Sequence, residues 1–129
     1  MSLPQYQQKI RNFVCGDSLA VERTIRGVPT GLTISKAYMT IKGTATDADA
    51  SAVVQVSITS TLTSAGQITD TGADGTGAVR FTLTPAQTLL LTPEQAYAFD
   101  VQIVLSDSGL YTPCKGTMKG LQQVTIATT

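Results

Sequence analysis

The stretch that decides the fold is Tyr97–Thr117, which reads YAFDVQIVLSDSGLYTPCKGT. In its first half, apolar side chains recur at every second position, the period of a strand with one buried face, at Tyr97, Phe99, Val101, Ile103 and Leu105. Asp107-Ser108-Gly109 is typical of a tight turn, because Asp and Gly tolerate left-handed backbone conformations. A second β-rich run follows at once, so we predict a long β-hairpin.

The same alternation recurs through the rest of the chain. Strands are predicted at Gln8–Val14, Ser18–Arg26, Lys36–Lys42, Ala52–Thr59, Gln67–Asp70, Gly77–Leu83, Ala96–Leu105 and Leu110–Lys119, with Gln122–Ile126 continuing the last strand after a bulge at Gly120. Thr84 and Pro85 predict a short helical turn over Pro85–Leu90, with Thr84 as N-cap.

Seven to nine short antiparallel strands with one short helical turn and no long helix predict an all-β fold, a β-sandwich or a small barrel. We favour the sandwich, because the helical turn and the longer loops suit connections between two sheets. A chain of 129 residues fits one domain. We expect a single β-sandwich domain over residues 8–129, after a disordered or tag-derived N-terminus at residues 1–7.

The charge balance argues against nucleic acid as a partner. Nine Lys and Arg residues equal nine Asp and Glu residues, so the formal net charge is zero, and charged residues make up only 14% of the chain. Phosphate binding needs clustered Lys and Arg, and the sequence has no basic stripe. A surface low in charge favours association with other proteins over mutual repulsion.

Neither a membrane span nor an export signal is apparent in the sequence. No apolar run approaches the roughly 18 residues that a membrane helix needs, and residues 1–12 lack a hydrophobic signal core. We therefore expect no membrane association and a cytoplasmic location at synthesis.

Residue chemistry argues against catalysis. The sequence has no histidine, which removes the commonest general base and the most usual transition-metal ligand. Gly16-Asp17-Ser18-Leu19 has the letters of a lipase signature but no histidine partner for Ser18, and no helix follows the glycine-rich run at 71–77. Asp47-Ala48-Asp49 spaces two carboxylates like the start of a calcium loop, without the remaining ligands. We predict no enzyme, and no catalytic, cofactor-binding or metal-binding residues.

Three sets of residues leave alternatives open. Cys15 and Cys114 are either two free thiols in a reducing compartment or a bridge that joins the first strand to the last. Asp100 lies mid-strand, either facing solvent beside a Lys or Arg, or contacting another subunit. We interpret three tyrosines as core or strand-edge aromatics rather than as a ligand platform: Tyr38, Tyr97 and Tyr111.

Several segments in this order resemble a family of short phage and prophage structural proteins, similar to the N-terminal immunoglobulin-like domain of phage baseplate upper proteins. The segments are Gly16-Asp17-Ser18-Leu19, Ile34–Lys42, Gly77–Pro85 with Thr88, Tyr97–Ile103, Gly109–Pro113, Gly116-Thr117 and Val124-Thr125.

The resemblance implies an immunoglobulin-like antiparallel β-sandwich without catalysis. It also implies a virion structural protein of a tail, baseplate or fibre, which assembles with other virion proteins or with itself and resides in the virion once assembled. The alternative function is an immunoglobulin-like binding module that recognises a host-surface protein or a glycan through its loops.

Overall fold

The computed structural model describes residues 6–44 and 46–124. Within them the chain forms eight strands, one short helix and a 3-10 turn at Asp49–Ser51. The elements are β1 (Tyr6–Ile10), β2 (Leu19–Arg26), β3 (Ile34–Lys42), β4 (Val54–Ile58), β5 (Gly66–Asp70), β6 (Thr76–Leu83), α1 (Pro85–Thr88), β7 (Tyr97–Leu105) and β8 (Leu110–Met118).

The strands form two sheets that pack face to face. A five-stranded sheet has the order β1-β8-β7-β3-β4, and a three-stranded sheet has the order β2-β6-β5. All pairs are antiparallel except β1 with β8, which is parallel. The predicted β-sandwich is confirmed, as is the hairpin of β7 and β8.

The core lies between the sheets and is built from alternate positions of the strands. In β7 the odd-numbered residues are buried and the even-numbered residues are half-buried, as the alternation in the sequence predicted. The largest side chain that is fully buried is Phe81 of β6, which is 0% exposed. Aliphatic side chains supply most of the remaining core volume, because the sequence has only three Phe and no Trp.

The helix α1 carries β6 of one sheet over to β7 of the other, as expected. Thr84 is its N-cap, and the Thr84 side chain accepts a hydrogen bond from the amide of Gln87. The Gln87 side chain in turn accepts from the Thr84 amide at 2.8 Å, which completes a capping box. The helix ends at Thr88, two residues earlier than the sequence suggested.

The largest differences from the predicted strands lie at the first strand and after the last one, whereas the other strand ends shift by one or two residues at most. β1 begins at Tyr6 and ends at Ile10, because the chain turns at Asn12, which has a positive φ of 64°. Residues 122–124 do not continue β8. Instead Leu121 makes an isolated parallel bridge with Val14, and residues 125–126 lie outside the described ranges.

The start of β7 is fixed by a side-chain hydrogen bond. The backbone amide of Thr92 donates to the hydroxyl oxygen of Tyr97 at 2.7 Å, and the Tyr97 side chain is only 5% exposed. This contact ties the corner between α1 and β7 to the core. It is the tyrosine corner that immunoglobulin-like sandwiches carry at the same place.

We expect Tyr97→Phe to lower the free energy of unfolding by about 1–2 kcal/mol, because the amide of Thr92 loses its acceptor while the ring stays packed. Urea denaturation monitored by circular dichroism measures the change. Tyr38→Phe is the matched control, since it removes a hydroxyl from a half-buried tyrosine on the outer face. Equal losses in the two variants would contradict a structural role for the corner.

Candidate functional site: the outer face of the five-stranded sheet

The outer face of the five-stranded sheet carries four lysines. In β3 the core residues alternate with outward-facing residues, which are Lys36, Tyr38, Thr40 and Lys42. On the neighbouring strands, exposed Lys115 of β8 and exposed Lys9 of β1 point to the same side. Asp100 of β7 is the carboxylate that the described strands place among them. We call the surface formed by Lys9, Lys36, Lys42, Lys115 and Asp100 the lysine face.

The lysine face is concave. A depression of about 380 Å³ crosses β3, β7 and β8, and small residues form much of its lining, including Thr40, Ala98 and Gly116. A second depression of about 440 Å³ is lined by Gln8, Lys9, Gly116 and Thr117. Because both depressions include Gly116 and Thr117, the concave surface extends as far as the edge strand β1.

Hydrogen bonds and ring contacts hold several side chains of this surface in place. Gln55 of β4 donates to the hydroxyl of Thr40 at 3.0 Å, and Thr40 is only 5% exposed although it points outward. The ammonium of Lys36 lies 5.0 Å from the centre of the Tyr38 ring, within cation–π range. The face is therefore partly preorganised, which lowers the entropy cost of binding a partner.

Asp100 lies in the middle of the lysine face. It is half-buried and stands in register with Thr40 on one side and with Lys115 on the other. The structure thus places Asp100 beside a lysine, as one of the two sequence interpretations expected. The other interpretation, a contact with another subunit, stays a prediction.

Asp47 lies beside Lys42, at the border of the lysine face. Its carboxylate accepts hydrogen bonds from the hydroxyl and the amide of Thr44, at 2.8 and 3.1 Å. These two bonds, the hydroxyl first, hold the pKa of Asp47 below its usual value, and Lys42 acts in the same direction. Lys42 also donates to the Asp47 backbone carbonyl at 2.8 Å. The carboxylate therefore stabilises its own loop.

The two cysteines are free and buried. Burial raises the pKa of the Cys114 thiol, and the guanidinium of Arg23 acts weakly in the opposite direction. Burial also raises the pKa of Cys15. The bridge between the first and last strands, one of the two alternatives from sequence, is therefore wrong for this structure.

We expect both thiols to resist iodoacetamide in the native protein at about pH 8 and to react fully in urea, because only the thiolate is nucleophilic. Since each folded pKa lies above the ordinary value of 9.0, the folded state loses stability as the pH rises above that value. Unfolding measured across alkaline pH tests this, with Cys114→Ala as the control that should flatten the decline. Rapid native alkylation would contradict the burial.

Arg23 points inward from β2 beside Cys114. Its Nε is buried and makes no hydrogen bond within the described residues, while its Nη1 donates to the Glu22 carbonyl at 2.6 Å. A cleft of about 410 Å³ between β1 and β2 includes Arg23 in its lining, together with Lys9 and Arg11. This edge of the sandwich is basic as well.

The motifs singled out from sequence occupy turns. Asp17 is exposed in the turn between β1 and β2, and its backbone carbonyl accepts from the Thr88 hydroxyl at 2.8 Å. The glycine-rich run at 71–77 forms the turn from β5 into β6 and the first two residues of β6, so no helix follows it.

Within the described ranges, no group of three or more His, Cys, Asp or Glu side chains could hold a metal ion. None of the helices described has the length and apolar character for crossing a bilayer.

Sequence reasoning missed the lysine face. It predicted the strands that carry Lys42 and Lys115, but not that these strands share one face of a sheet. Part of the signal was present, since the period of two puts Lys36 and Lys42 on one side of β3. The order of strands in the sheet places β8 and β3 on either side of β7 and β1 beside β8, and no local pattern encodes that order.

Two packed sheets that are antiparallel except for the pair β1–β8, a cross-sheet helical turn and a tyrosine corner define the fold as an immunoglobulin-like β-sandwich. The protein lacks the disulfide between sheets that antibody domains have. Phe99 stands two residues after the corner tyrosine, where those domains carry the second cysteine.

Comparison with solved structures agrees with this class of fold. The chain is similar to the NK cell receptor NKp44, described as a triggering partner in natural cytotoxicity, with a TM-score of 0.51 and 20% sequence identity. The similarity covers 92% of this chain and 100% of the receptor chain. No protein-family model matches the chain, and no curated protein matches it. At this identity the similarity concerns the fold alone.

Proposed function

We propose that the protein is a non-enzymatic phage or prophage virion structural protein that acts through protein–protein assembly. The observation that carries the proposal is the lysine face. It is a concave, charged surface that extends over several strands, and its side chains are partly fixed by their neighbours. Such a surface suits a protein partner of opposite charge, because complementary charges steer association and fix the register of the contact.

The sequence resemblance supports the same function. Four of its segments fall on β3, β7 and β8, so these residues also build much of the sheet under the lysine face. The chain has no histidine for acid–base chemistry. A small rigid sandwich of this kind can serve as a building block, since its sheet faces and edges offer several contact surfaces.

Sedimentation with particles tests the proposal. The protein would carry a short C-terminal tag and be produced in its own host during phage propagation or prophage induction. We expect it to sediment with purified virions through a density gradient in a constant ratio to the major virion proteins. Peptide mass spectrometry of the particle fractions measures that ratio.

A tagged variant that cannot fold is the control. It measures how much of the protein reaches the particle fractions without specific binding to virions. Recovery of the protein only at the top of the gradient, free of particles, would contradict a virion role. Recovery on the surface of host cells instead would support the alternative of a binding module for a host-surface protein or glycan.

A further inference from the structure

The lysine face is positively charged, whereas one end of the sandwich carries exposed carboxylates. The lysine face has four lysines against one aspartate among the described strand residues. Three carboxylates lie at one end of the sandwich, where Asp70 is the last residue of β5, Asp74 lies in the turn between β5 and β6, and Asp107 lies in the turn between β7 and β8. All three are exposed. We call these two turns the acidic turns.

The acidic turns are held side by side by the start of β3. The amide of Ile34 donates to the Thr71 carbonyl at 2.8 Å in the first turn. Thr33 accepts from the Ser106 amide at 2.8 Å and donates to the Ser106 hydroxyl at 3.1 Å in the second. The three carboxylates therefore project from one rigid end.

Each carboxylate also stabilises its own turn. Asp70 accepts from the amide of Gly72 at 2.9 Å, Asp74 from that of Thr76 at 3.4 Å, and Asp107 from that of Gly109 at 2.9 Å. In every case the bond uses one carboxylate oxygen, so the other can accept from a lysine ammonium. Arg26 at the end of β2 and Lys36 near the start of β3 are the cations that the described strands place near this end, so the three carboxylates leave an excess of one negative charge there.

We propose that the acidic turns of one copy dock on the lysine face of a second copy. The inference rests on the proposed function, and it names the partner as the chain itself. The charges are complementary, and the formal net charge of zero means that two copies do not repel each other at long range. Because different surfaces meet, the contact is heterologous and repeats into a ring or a filament.

Charge reversal on each surface tests the docking. The face variant combines Lys9→Glu with Lys115→Glu, and the turn variant combines Asp74→Lys with Asp107→Lys. A combined variant carries all four changes and returns to a formal net charge of zero. Light scattering after size exclusion, over a concentration series at low ionic strength, measures the mass of each variant alone and of the face and turn variants mixed.

We expect the wild-type protein to form larger species as its concentration rises, and added salt to reverse this because it screens exposed charges. Each double variant alone should stay monomeric. Their mixture should regain extended assembly with the two variants alternating, since the acidic face of one accepts the basic turns of the other, and the unchanged lysine face of the second accepts the unchanged acidic turns of the first. The combined variant should regain extended assembly.

Matched controls move the same amount of charge elsewhere. Asp17→Lys with Glu94→Lys, and Arg11→Glu with Lys119→Glu, alter exposed residues at the other end of the sandwich and should leave assembly unchanged. Asp74→Asn with Asp107→Asn removes charge but keeps an oxygen acceptor in each turn. This variant should also weaken assembly, even if lysine at either position unfolds its turn.

Two results would overturn the inference and leave the virion role standing. One is association of the wild-type protein that none of the charge reversals changes, which would place the contact on another surface. The other is a strict monomer at every concentration in a protein that still sediments with virions, which would mean that other virion proteins supply the partner.

Discussion

Phe81→Ala is expected to lower the free energy of unfolding by about 3–5 kcal/mol, the range for removing a buried ring from a core. Phe81 is 0% exposed and lies in the middle strand of the three-stranded sheet, opposite Val21 on one side and Gly66 on the other. Its ring packs between the two sheets, and the neighbouring side chains cannot collapse fully into the cavity that the alanine would leave. Urea denaturation should show the loss, with a fall in Tm of roughly 10–20 °C.

A second substitution at the same position and one at the next position show whether the loss comes from the buried ring. Phe81→Leu keeps most of the apolar volume and should cost less than half as much as alanine. Thr82→Ala alters the adjacent, outward-facing position of β6 and should change the stability by no more than about 0.5 kcal/mol. A loss below about 1 kcal/mol for Phe81→Ala would contradict the tight packing of the core at this point.

Gly66→Ala is expected to cost at least about 3 kcal/mol, because it combines backbone strain with a steric clash. Gly66 has φ +125°, a conformation that residues with a Cβ rarely adopt. An added Cβ would lie 1.9 Å from the backbone carbonyl oxygen of Arg80, far inside contact distance. Strand β5 would have to move away from β6, and hydrogen exchange should show its amides losing protection.

Gly75→Ala is the matched control for strain without a clash. Gly75 has φ +102°, and an added Cβ there would meet nothing within 4 Å. The loss at Gly75 should therefore be about 1 kcal/mol, from the backbone conformation alone. Equal losses in the two variants would mean that the close approach of β5 to β6 contributes nothing to stability.

Much of the fold could be predicted from the sequence because each strand carries its own signal. The alternation from Tyr97 to Leu105 identified the buried face of β7, and Thr84 with Pro85 identified the start of α1. These signals act between residues close in sequence, through backbone geometry and capping. The parts that were mispredicted lie at the ends of strands. Residues 122–124 look like a strand, but Leu121 pairs with Val14, more than a hundred positions away.

The state of the cysteines also depended on the tertiary structure. Cys114 lies in β8 opposite Val101, with Arg23 nearby in the other sheet. Cys15 lies in the turn after β1, where an added Cβ on Gly120 would come within 2.4 Å of its sulfur. Their separation in the sequence is compatible with a bridge or with two thiols, and only their positions in the fold show two separate buried sites.

The sequence alone determined that this protein is all-β with alternating apolar positions that form a core, and it favoured a sandwich over a barrel, because side-chain period and turn chemistry are local properties. It also limited the chemistry of the protein, since a chain without histidine lacks the usual acid–base residue. Only the tertiary structure decided which surfaces result. The lysine face exists because β8 and β3 flank β7 and β1 pairs with β8, and the acidic turns meet because both bind the start of β3. Strand order and long-range hydrogen bonds produce both surfaces. Both therefore depend on the packing of the whole domain and not on any one segment of the sequence.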